Sequence, residues 1–371
     1  MDHARKTVTD LLTLADIKTN GDRPFDIQVH DDRFYRRVLS QRELGLGESY
    51  MDGWWDALRV DELIAHILST NIRSKIIFSP ALLAAFVRST AANRQNFRRA
   101  PKNASRHYNI GNDLYQRMLG QRMIYSCAYW KDAKTLDEAQ EAKLDLICRK
   151  LHLKKGMSLL DIGCGWGGFA EFAANKYGVE VTGITPAAEQ VKLAKERTRG
   201  LPVTILQQDY REVTGSFDRI VSIGMLEHVG PKNYRTFFLK NHALLKDGGL
   251  MLHHFIGRNK SVRITDPWID RYIFPGGVIP TLAQISRALE RLLIAEDVHN
   301  FGPYYDRTLM AWHQNFVDHY AEIQDHYHKR FHRMWTYYLL SCAGAFRARE
   351  LQLYQIVMRK IEPASVYAAV R

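Results

Sequence analysis

The sequence is poor in cysteine and contains no long apolar segment. Its 371 residues include only Cys127, Cys148, Cys164 and Cys342, and no two of these have the spacing of a zinc site. So few thiols also provide no disulfide framework of the kind that small secreted domains use. The first residues lack the basic and then apolar pattern of a signal peptide, and the longest apolar stretch, residues 76–87, is too short to span a bilayer. We therefore expect a cytoplasmic protein that binds no metal.

Acidic residues are absent from a long stretch of the N-terminal third. Residues 63–112 contain no Asp or Glu, while the whole chain carries a formal charge of +12. The basic side chains of this stretch are Arg73, Lys75, Arg88, Arg94, Arg98, Arg99, Lys102 and Arg106. Such a concentration of charge indicates contact with a polyanion, either a nucleic acid or anionic lipid headgroups. The alternative is an ordinary solvated face followed by a basic linker.

A glycine-rich turn stands between a predicted strand and a predicted helix. Residues 158–170 read Ser-Leu-Leu-Asp-Ile-Gly-Cys-Gly-Trp-Gly-Gly-Phe-Ala. Glycines in such a turn let the backbone approach a ligand closely at a helix N-terminus. The spacing is neither the Gly-x-Gly-x-x-Gly of dinucleotide-binding folds nor a P-loop. It resembles motif I of the S-adenosylmethionine-dependent methyltransferases, with Asp161, Gly163 and Gly165 at the cofactor, although a tight turn alone is the simpler alternative.

Strands and helices alternate through the larger part of the chain. The pattern predicts a helix at 136–151 before the strand that precedes the glycines. After that strand it predicts strands at 179–184, 203–207, 217–223 and 250–256, and a closing antiparallel pair at 292–298 and 350–359. This alternation predicts an α/β fold with a doubly wound sheet in a domain covering 107–371. Residues 1–100 form a smaller, mainly helical domain with a linker to about residue 106. The apolar stripe of its predicted helix at 79–90 would lie at a lipid interface or dock on the protein itself.

Polar side chains follow three of the predicted strands, at the sheet edge where doubly wound folds bind ligands. Thr185 and Gln190 follow the second strand, where many nucleotide-binding proteins have a carboxylate for the ribose, so a hydroxyl or an amide would serve here. The third strand is followed by Gln208, Asp209 and Tyr210. Asp209 can accept a hydrogen bond from an adenine amino group, and Tyr210 can stack on the ring. Glu227 follows the fourth strand and would face the methyl group that the cofactor delivers.

Several short motifs occur together in this chain. They read Tyr-Ser-Cys-Ala-Tyr-Trp at 125–130, Asp-Ile-Gly-Cys-Gly-Trp-Gly-Gly at 161–168, Glu-His-Val-Gly-Pro at 227–231 and Cys-Ala-Gly-Ala-Phe-Arg at 342–347. With Leu-Gly-Glu-Ser-Tyr-Met-Asp-Gly-Trp-Trp at 46–55, they resemble the cyclopropane-fatty-acyl-phospholipid synthase family over essentially the whole chain. The resemblance implies a class I methyltransferase-type sheet, S-adenosylmethionine as cofactor, and methylene transfer to the cis double bond of an unsaturated phospholipid acyl chain.

The resemblance also implies the site residues. In that family a bound bicarbonate ion takes a proton from a carbocation intermediate, and the matching positions of its cage are Cys127, Glu227, His254, Ile256 and Tyr305. His254 and Tyr305 would donate hydrogen bonds to the anion, and Glu227 would accept one from its hydroxyl. Cys342 matches a further family position, to which we assign a structural role. The implied cofactor contacts are Tyr125 and Ser126 at the methionine end, Gly163, Gly165, Thr185, Gln190, Gln208, Asp209 and Tyr210.

The implied substrate accounts for the basic N-terminal region. An enzyme that modifies acyl chains in a bilayer has to work at its surface, so we expect peripheral contact with the inner face of the membrane, a homodimer, and no binding of nucleic acid. Three alternatives remain open. They are a nucleic-acid methyltransferase, a catalytically silent lipid-binding protein on the same scaffold, and a relative that forms a methyl-branched or hydroxylated acyl product.

Overall fold

The computed structural model describes residues 3–70, 111–262, 265–363 and 366–371, which divide between two compact units. The first unit comprises residues 3–70, 265–275 and 305–351 of this description, and the second comprises the remainder. The basic side chains from Arg73 to Arg106, the helix predicted at 79–90 and the predicted linker lie outside the described residues. The domain boundary predicted near residue 100 lies there too and stays a prediction.

Helices and strands are numbered along the chain over the described residues. The helices are α1 (His3–Leu14), α2 (Arg33–Gln41), α3 (Glu43–Met51), α4 (Val60–Ser69), α5 (Asn112–Met118), α6 (Leu136–Lys150), α7 (Gly168–Tyr177), α8 (Ala188–Arg197), α9 (Leu226–Val229), α10 (Tyr234–Leu244), α11 (Pro267–Tyr272), α12 (Leu282–Leu289), α13 (Pro303–His319) and α14 (Lys329–Arg347). The strands are β1 (Gln28–Val29), β2 (Trp55–Asp56), β3 (Ser158–Ile162), β4 (Glu180–Thr185), β5 (Val203–Gln207), β6 (Phe217–Ile223), β7 (Leu245–Arg258), β8 (Leu293–Asn300) and β9 (Leu351–Lys360). None of the helices described is long and apolar enough to cross a lipid bilayer.

The first unit is mainly helical and is held by close helix packing and paired charges. Helices α4 and α14 approach so closely that a Cβ at Gly344 would lie 2.4 Å from the carbonyl oxygen of Asp61. The Asp61 carboxylate is buried between Arg59 (2.8 Å) and Arg347 (2.6 Å). Because a buried charge is costly unless it is paired, these arginines are what allow Asp61 to stay ionised inside the unit.

The second unit is built on a seven-stranded sheet, whose order among the described strands is β5-β4-β3-β6-β7-β9-β8. Strands β3 to β7 pair in parallel, and β8 pairs antiparallel with β9. This arrangement confirms the doubly wound α/β sheet and the closing antiparallel pair predicted from the sequence. The parallel register brings the carboxyl ends of β3, β4, β6 and β7 to one edge of the sheet.

Alternating side chains of the central strands fill two separate cores, one on each face of the sheet. On β3, Leu160 and Ile162 pack with residues of α10 and α12, whereas Leu159 packs on the other face with residues of α6 and α7. This alternation is the period of two that a strand imposes on its side chains. Helix α6, which covers the second face, begins at a capping box between Thr135 and Glu138. The sequence predicted this helix over 136–151.

Candidate active site

The glycine-rich turn after β3 brings bare backbone to the carboxyl edge of the sheet. Gly163 (φ +86°) and Gly165 (φ +55°) adopt left-handed conformations that most residues avoid. The N–H groups of Gly163 and Cys164 both donate to the carbonyl of Ile184 (2.9 and 3.0 Å), which ties the turn to β4. At Gly168, the first residue of α7, a Cβ would lie 2.3 Å from the carbonyl oxygen of Arg122. The turn therefore requires glycine at 163 and 165 for the backbone conformation, and at 168 for the close approach of the Arg122 carbonyl.

A cavity of about 830 Å³, its mouth included, opens beside this turn. Its lining contains most of the predicted cofactor contacts, namely Gly163, Gly165, Thr185, Gln190, Gln208, Asp209 and Tyr210. The structure thus brings together residues that follow three different strands, as the sheet-edge argument predicted. Tyr125, Ser126 and Asp161 are not among the lining residues. Arg211, Met225 and His228 line the cavity without having been predicted as contacts.

Thr185 and Gln190 form a hydrogen-bonded pair in the cavity wall. The Thr185 hydroxyl donates to Gln190 Oε1 at 2.7 Å, and both side chains are buried. With its oxygen already accepting, the Gln190 amide has its NH₂ group left to offer a ligand. An NH₂ donor suits a ribose hydroxyl oxygen, so this pair can take the place of the carboxylate that the sequence lacks here.

Asp209 is engaged by an arginine that sequence reasoning missed. Arg211 donates to both carboxylate oxygens of Asp209 at 2.7 Å, and the Arg211 backbone N–H donates to Oδ1 at 3.0 Å. This side-on pairing fixes the carboxylate in the cavity wall. The Tyr210 ring packs edge-on against Phe237 with 4.9 Å between ring centroids. The sequence signal for the Arg211 contact was an arginine two residues after Asp209 in a predicted turn.

Helix α6 carries two buried polar side chains that hold the segment before it. The Gln140 amide donates to the Ser126 carbonyl at 3.0 Å, and the Lys143 ammonium donates to the Ser126 hydroxyl at 2.9 Å. Desolvation lowers the pKa of Lys143 to about 7, partly opposed by Cys127 and Asp161, and desolvation raises the pKa of Asp161 to about 7. Asp161 Oδ2 has no hydrogen-bond partner among the described residues. Sequence reasoning missed Lys143, although a lysine on the apolar face of α6 was a signal.

Glu227 lies in the short helix α9, directly after the turn that ends β6. Its Oε1 accepts from the backbone N–H of Ile256 at 2.7 Å, while its Oε2 is buried and has no partner in the described part of the chain. Desolvation raises the pKa of the Glu227 carboxyl to about 7, against the lowering effect of the Ile256 N–H. Since that N–H is used by Glu227, it is not free to donate to the anion of the cage that the resemblance implies.

Neighbouring histidines on β7 point to opposite faces of the sheet. His253 packs edge-on against Phe237 and Phe238, and His254 packs near Phe301 on the other face. His254 Nδ1 lies 3.3 Å from Gln355 Nε2 on the adjacent strand β9, whereas His254 Nε2 is buried without a partner among the described residues. Burial first, and then Lys143 and Lys150, hold the pKa of His254 well below its ordinary value. The imidazole is therefore neutral at pH 7.

The remaining predicted residues lie in both units. In the second unit Cys127 is buried, with Sγ 3.3 Å from the Ala128 carbonyl, and Tyr125 packs against Tyr115 at 5.3 Å between ring centroids. In the first unit the Tyr305 ring packs on Phe346 at 4.5 Å. Cys342, also in the first unit, lies in α14, and desolvation raises the pKa of its thiol to about 12.

The chain is similar to known proteins over most of its length. Residues 95–356 match the sequence model of a family described as mycolic acid cyclopropane synthetase. The chain is 50% identical over 361 residues to the cyclopropane-fatty-acyl-phospholipid synthase of Escherichia coli (strain K12), covering 97% of this chain and 94% of that one. It is 40% identical over 270 residues to a probable fatty acid methyltransferase of Pseudomonas putida, covering 69% and 68%. The solved mycolic acid cyclopropane synthase CmaA1, complexed with SAH and CTAB, aligns at 30% identity with a TM-score of 0.66 over 70% of this chain and 98% of that one. The predicted class I methyltransferase-type fold is thereby confirmed.

Proposed function

Because the chain belongs to the mycolic acid cyclopropane synthetase family, we propose that it is a cyclopropane-fatty-acyl-phospholipid synthase that uses S-adenosylmethionine and bicarbonate. The observation that carries this proposal is that two side chains, Glu227 and His254, each have one buried polar atom without a partner in the described residues. The acceptor would be the cis double bond of an unsaturated phospholipid acyl chain. The name of the E. coli relative supports this acceptor, and the alignment covers nearly the full length of both chains.

The cavity beside the glycine turn fits S-adenosylmethionine. Gly163 and Gly165 present no Cβ that would obstruct the cofactor, and the Thr185–Gln190 pair offers NH₂ donors to ribose oxygens. Asp209, held by Arg211, lines the same wall and has acceptor oxygens for an amino group. Ser126, held by Lys143 and Gln140, would contact the methionine end.

The Glu227 and His254 atoms without partners fit a small oxyanion that carries one proton. Buried polar atoms usually have partners, so Glu227 Oε2 and His254 Nε2 indicate a missing hydrogen-bonding group. A carboxylate oxygen can accept from a bicarbonate hydroxyl, and an imidazole N–H can donate to a bicarbonate oxygen. Cys127 would contribute at the edge of this site. Tyr305, which belongs to the first unit, keeps the role implied by the resemblance as a proposal.

When bound, S-adenosylmethionine would supply the methyl group that becomes the ring carbon, leaving as S-adenosylhomocysteine, and bicarbonate would supply the base for one proton of that methyl group. Glu227 would orient the proton acceptor by taking its O–H hydrogen bond. The ring centroid of Tyr129 lies 5.3 Å from that of Phe301 and 5.5 Å from that of Tyr304. These three rings form an aromatic wall on the His254 side of the sheet. Such a wall excludes water and can stabilise a transient cation.

Product analysis tests this function. The protein is incubated with labelled S-adenosylmethionine and vesicles of an unsaturated phospholipid, and the fatty acid methyl esters are separated by gas chromatography. A cyclopropane ester supports the proposal. A methyl-branched ester would instead favour the activity named for the Pseudomonas putida relative, and the absence of product would support a silent lipid-binding protein. Label transferred to DNA or RNA would contradict the lipid assignment.

Removal of bicarbonate tests the proton acceptor separately. In buffers freed of carbon dioxide we expect turnover to fall strongly and to return when bicarbonate is added, while the affinity for S-adenosylmethionine stays constant. Isothermal titration calorimetry with the cofactor supplies that control. Unchanged turnover in bicarbonate-free buffer would contradict this part of the proposal and leave the cyclopropane product unaffected.

We also propose that the protein works as a homodimer on the inner membrane surface, held by the basic side chains of residues 63–112. Each Lys or Arg close to an anionic surface contributes about 1 kcal/mol, so several together give reversible and salt-sensitive binding. Changing Arg94, Arg98 and Arg99 together to Glu should weaken vesicle binding at low salt. If activity on vesicles is unchanged, this role for the segment is wrong. Sedimentation velocity tests the dimer.

A further inference from the structure

A buried amide contacts the ring of His254 from the neighbouring strand. Gln355 on β9 and His254 on β7 are 0% and 1% exposed, and Gln355 Nε2 lies 3.3 Å from His254 Nδ1. Strands β7 and β9 are adjacent in the sheet, so this contact joins two side chains on one face of a rigid scaffold. On its other side, β9 pairs with β8, where Gln355 lies opposite His299. The backbone of Gln355 is therefore held by strand pairing on both sides of β9.

The contact decides which ring nitrogen carries the proton. An amide NH₂ group can only donate, so the Nδ1 atom that faces it has to accept with its lone pair. A neutral imidazole has one N–H, and with Nδ1 as the acceptor that N–H is Nε2–H. We propose that Gln355 is a positioning residue that holds His254 in the Nε2–H tautomer. Sequence reasoning found His254 but had no reason to select a glutamine 101 residues further along the chain.

The tautomer matters for the ligand, and this step rests on the proposed function. Bicarbonate has one O–H donor and two further oxygens that only accept. Glu227 Oε2 is an acceptor and would take the O–H, so a second acceptor facing the same ion would have no proton to bind. With Nε2–H, His254 supplies the donor that the ion requires, and one bicarbonate oxygen stays available for the proton from the methyl group. In the other tautomer, Nε2 and Glu227 would compete for one proton.

Nuclear magnetic resonance reads the tautomer directly, without catalysis. The full chain is labelled with ¹⁵N at its 15 histidines, and the His254 signals are assigned by their loss in His254→Gln. A protonated ring nitrogen and a lone-pair nitrogen resonate far apart, so the two tautomers are distinguished in the wild-type protein. We expect Nε2 to carry the proton. A proton on Nδ1 would overturn the proposal, because Gln355 would then be presenting its oxygen to the ring.

A matched pair of variants tests the consequence. Gln355→Glu replaces the NH₂ donor with an acceptor of the same shape, so at pH 9 the ring proton should move to Nδ1. The KM for bicarbonate should then rise at least tenfold while the affinity for S-adenosylmethionine stays unchanged. Gln352→Glu places the same charge on the same strand, where Asn300 already donates to the side-chain oxygen (3.2 Å), and should change neither quantity.

Different results would contradict the positioning role of Gln355 and the proposed use of bicarbonate. If Gln355→Glu leaves the His254 ring signals unchanged, Gln355 does not position the ring and the inference is wrong. If the tautomer is the expected one but the wild-type enzyme needs no bicarbonate, the proposed proton acceptor is wrong and the positioning role of Gln355 stands. A KM for bicarbonate that rises equally in Gln352→Glu would show a general effect of charge on β9 and would overturn the specific role.

Discussion

Buried carboxylates are treated in opposite ways in two regions of this molecule. In the first unit, Asp61 accepts from Arg59 and Arg347, so the charge that burial would penalise is paired on both sides. At the carboxyl edge of the sheet in the second unit, Glu227 accepts one backbone N–H, and one of its oxygens has no partner in the described residues. Asp161, close by on β3, likewise has an unpartnered oxygen. We infer that the paired Asp61 supports the fold, whereas the unpartnered oxygens of Glu227 and Asp161 are available to a ligand.

The difference appears as opposite pKa shifts. Burial alone would raise the pKa of Asp61, but hydrogen bonds from Arg59 and Arg347 bring it below its ordinary value. Burial raises the pKa of Glu227 to about 7, because only the backbone N–H groups of Ile256 and of Glu227 itself oppose it. A lowered carboxyl pKa means that the ionised form stabilises the fold, and a raised one means that ionisation costs stability. Perturbed groups of the second kind cluster at functional sites.

Whether a carboxylate has protein partners depends on its position in the sheet as well as on the unit to which it belongs. Asp218 also belongs to the second unit, but it lies at the amino end of β6, where it accepts from the N–H and the hydroxyl of Ser158 and from Lys246. Burial would raise its pKa, yet these donors lower it to about 2. Within a single sheet, the carboxylate at the amino end is therefore satisfied by the protein, whereas Asp161 and Glu227 at the carboxyl edge each keep one oxygen without a partner in the described residues.

The largest expected effect comes from Glu227→Gln. The amide keeps an oxygen for the Ile256 N–H but cannot act as an anionic acceptor, so we expect turnover to fall by roughly 10²- to 10⁴-fold. The affinity for S-adenosylmethionine should change little. Single-turnover assays with labelled cofactor measure the first quantity, and calorimetry measures the second. Unchanged turnover would contradict the role of Glu227.

The same variant should be more stable than the wild type at high pH. Because the pKa of Glu227 is raised from 4.5 to about 7, the folded wild type loses stability as the pH rises from about 4.5 to 7. The variant has no such loss, so its advantage should be absent below pH 4.5 and grow to about 3 kcal/mol at most above pH 7. Urea denaturation at pH 4 and pH 8 checks this. Asp218→Asn is the matched control, because it should lose stability and keep its activity.

Asp61→Asn in the first unit should have the opposite effect on stability. It removes the buried anion of the network and leaves Arg347 paired only with Asp306 and Arg59 only with Glu62, which costs up to about 3 kcal/mol of unfolding free energy. The affinity of the folded fraction for S-adenosylmethionine should be unchanged. Urea denaturation at pH 7.5 measures the loss. A variant as stable as the wild type would show that the network contributes specificity and no net stability.

Much of the fold could be predicted from the sequence because it follows from local patterns. The strands after the glycine turn, the helix at 136–151 and the closing antiparallel pair each have a clear apolar period, and the structure has them within a few residues. The cavity lining could be predicted for a similar reason. Residues that follow parallel strands meet at one sheet edge whatever their separation along the chain.

The side chains that support the site could not be predicted in this way. Lys143 acts on Ser126, and Gln355 contacts His254 across 101 positions of sequence. No periodicity signals such a pairing, because it depends on which strands become neighbours and on which face each residue points to. The same holds for the arginine partner of Asp61, since Arg347 lies in another segment of the chain. Whether an acid is paired or unpaired is therefore a property of the folded structure.

The smallest expected effect is that of Asp26→Asn. Its pH dependence tests the comparison on a carboxylate that is paired. The Asp26 carboxylate accepts from Arg23 (2.8 Å) and from the Lys18 backbone N–H (2.8 Å), and the Arg23 hydrogen bond is the main reason that its pKa is lowered to about 2. The stabilisation is thus present above pH 4 and is lost as the pH falls towards 2.

We expect the variant to lose on the order of 1 kcal/mol at pH 7, because Arg23 is partly exposed to solvent, and the difference from the wild type to vanish near pH 2. Thermal unfolding followed by circular dichroism between pH 2 and pH 8 measures this difference. An Asp26→Asn variant that instead became more stable than the wild type as the pH rose would place Asp26 with Glu227, and the division between paired and unpaired carboxylates would no longer hold.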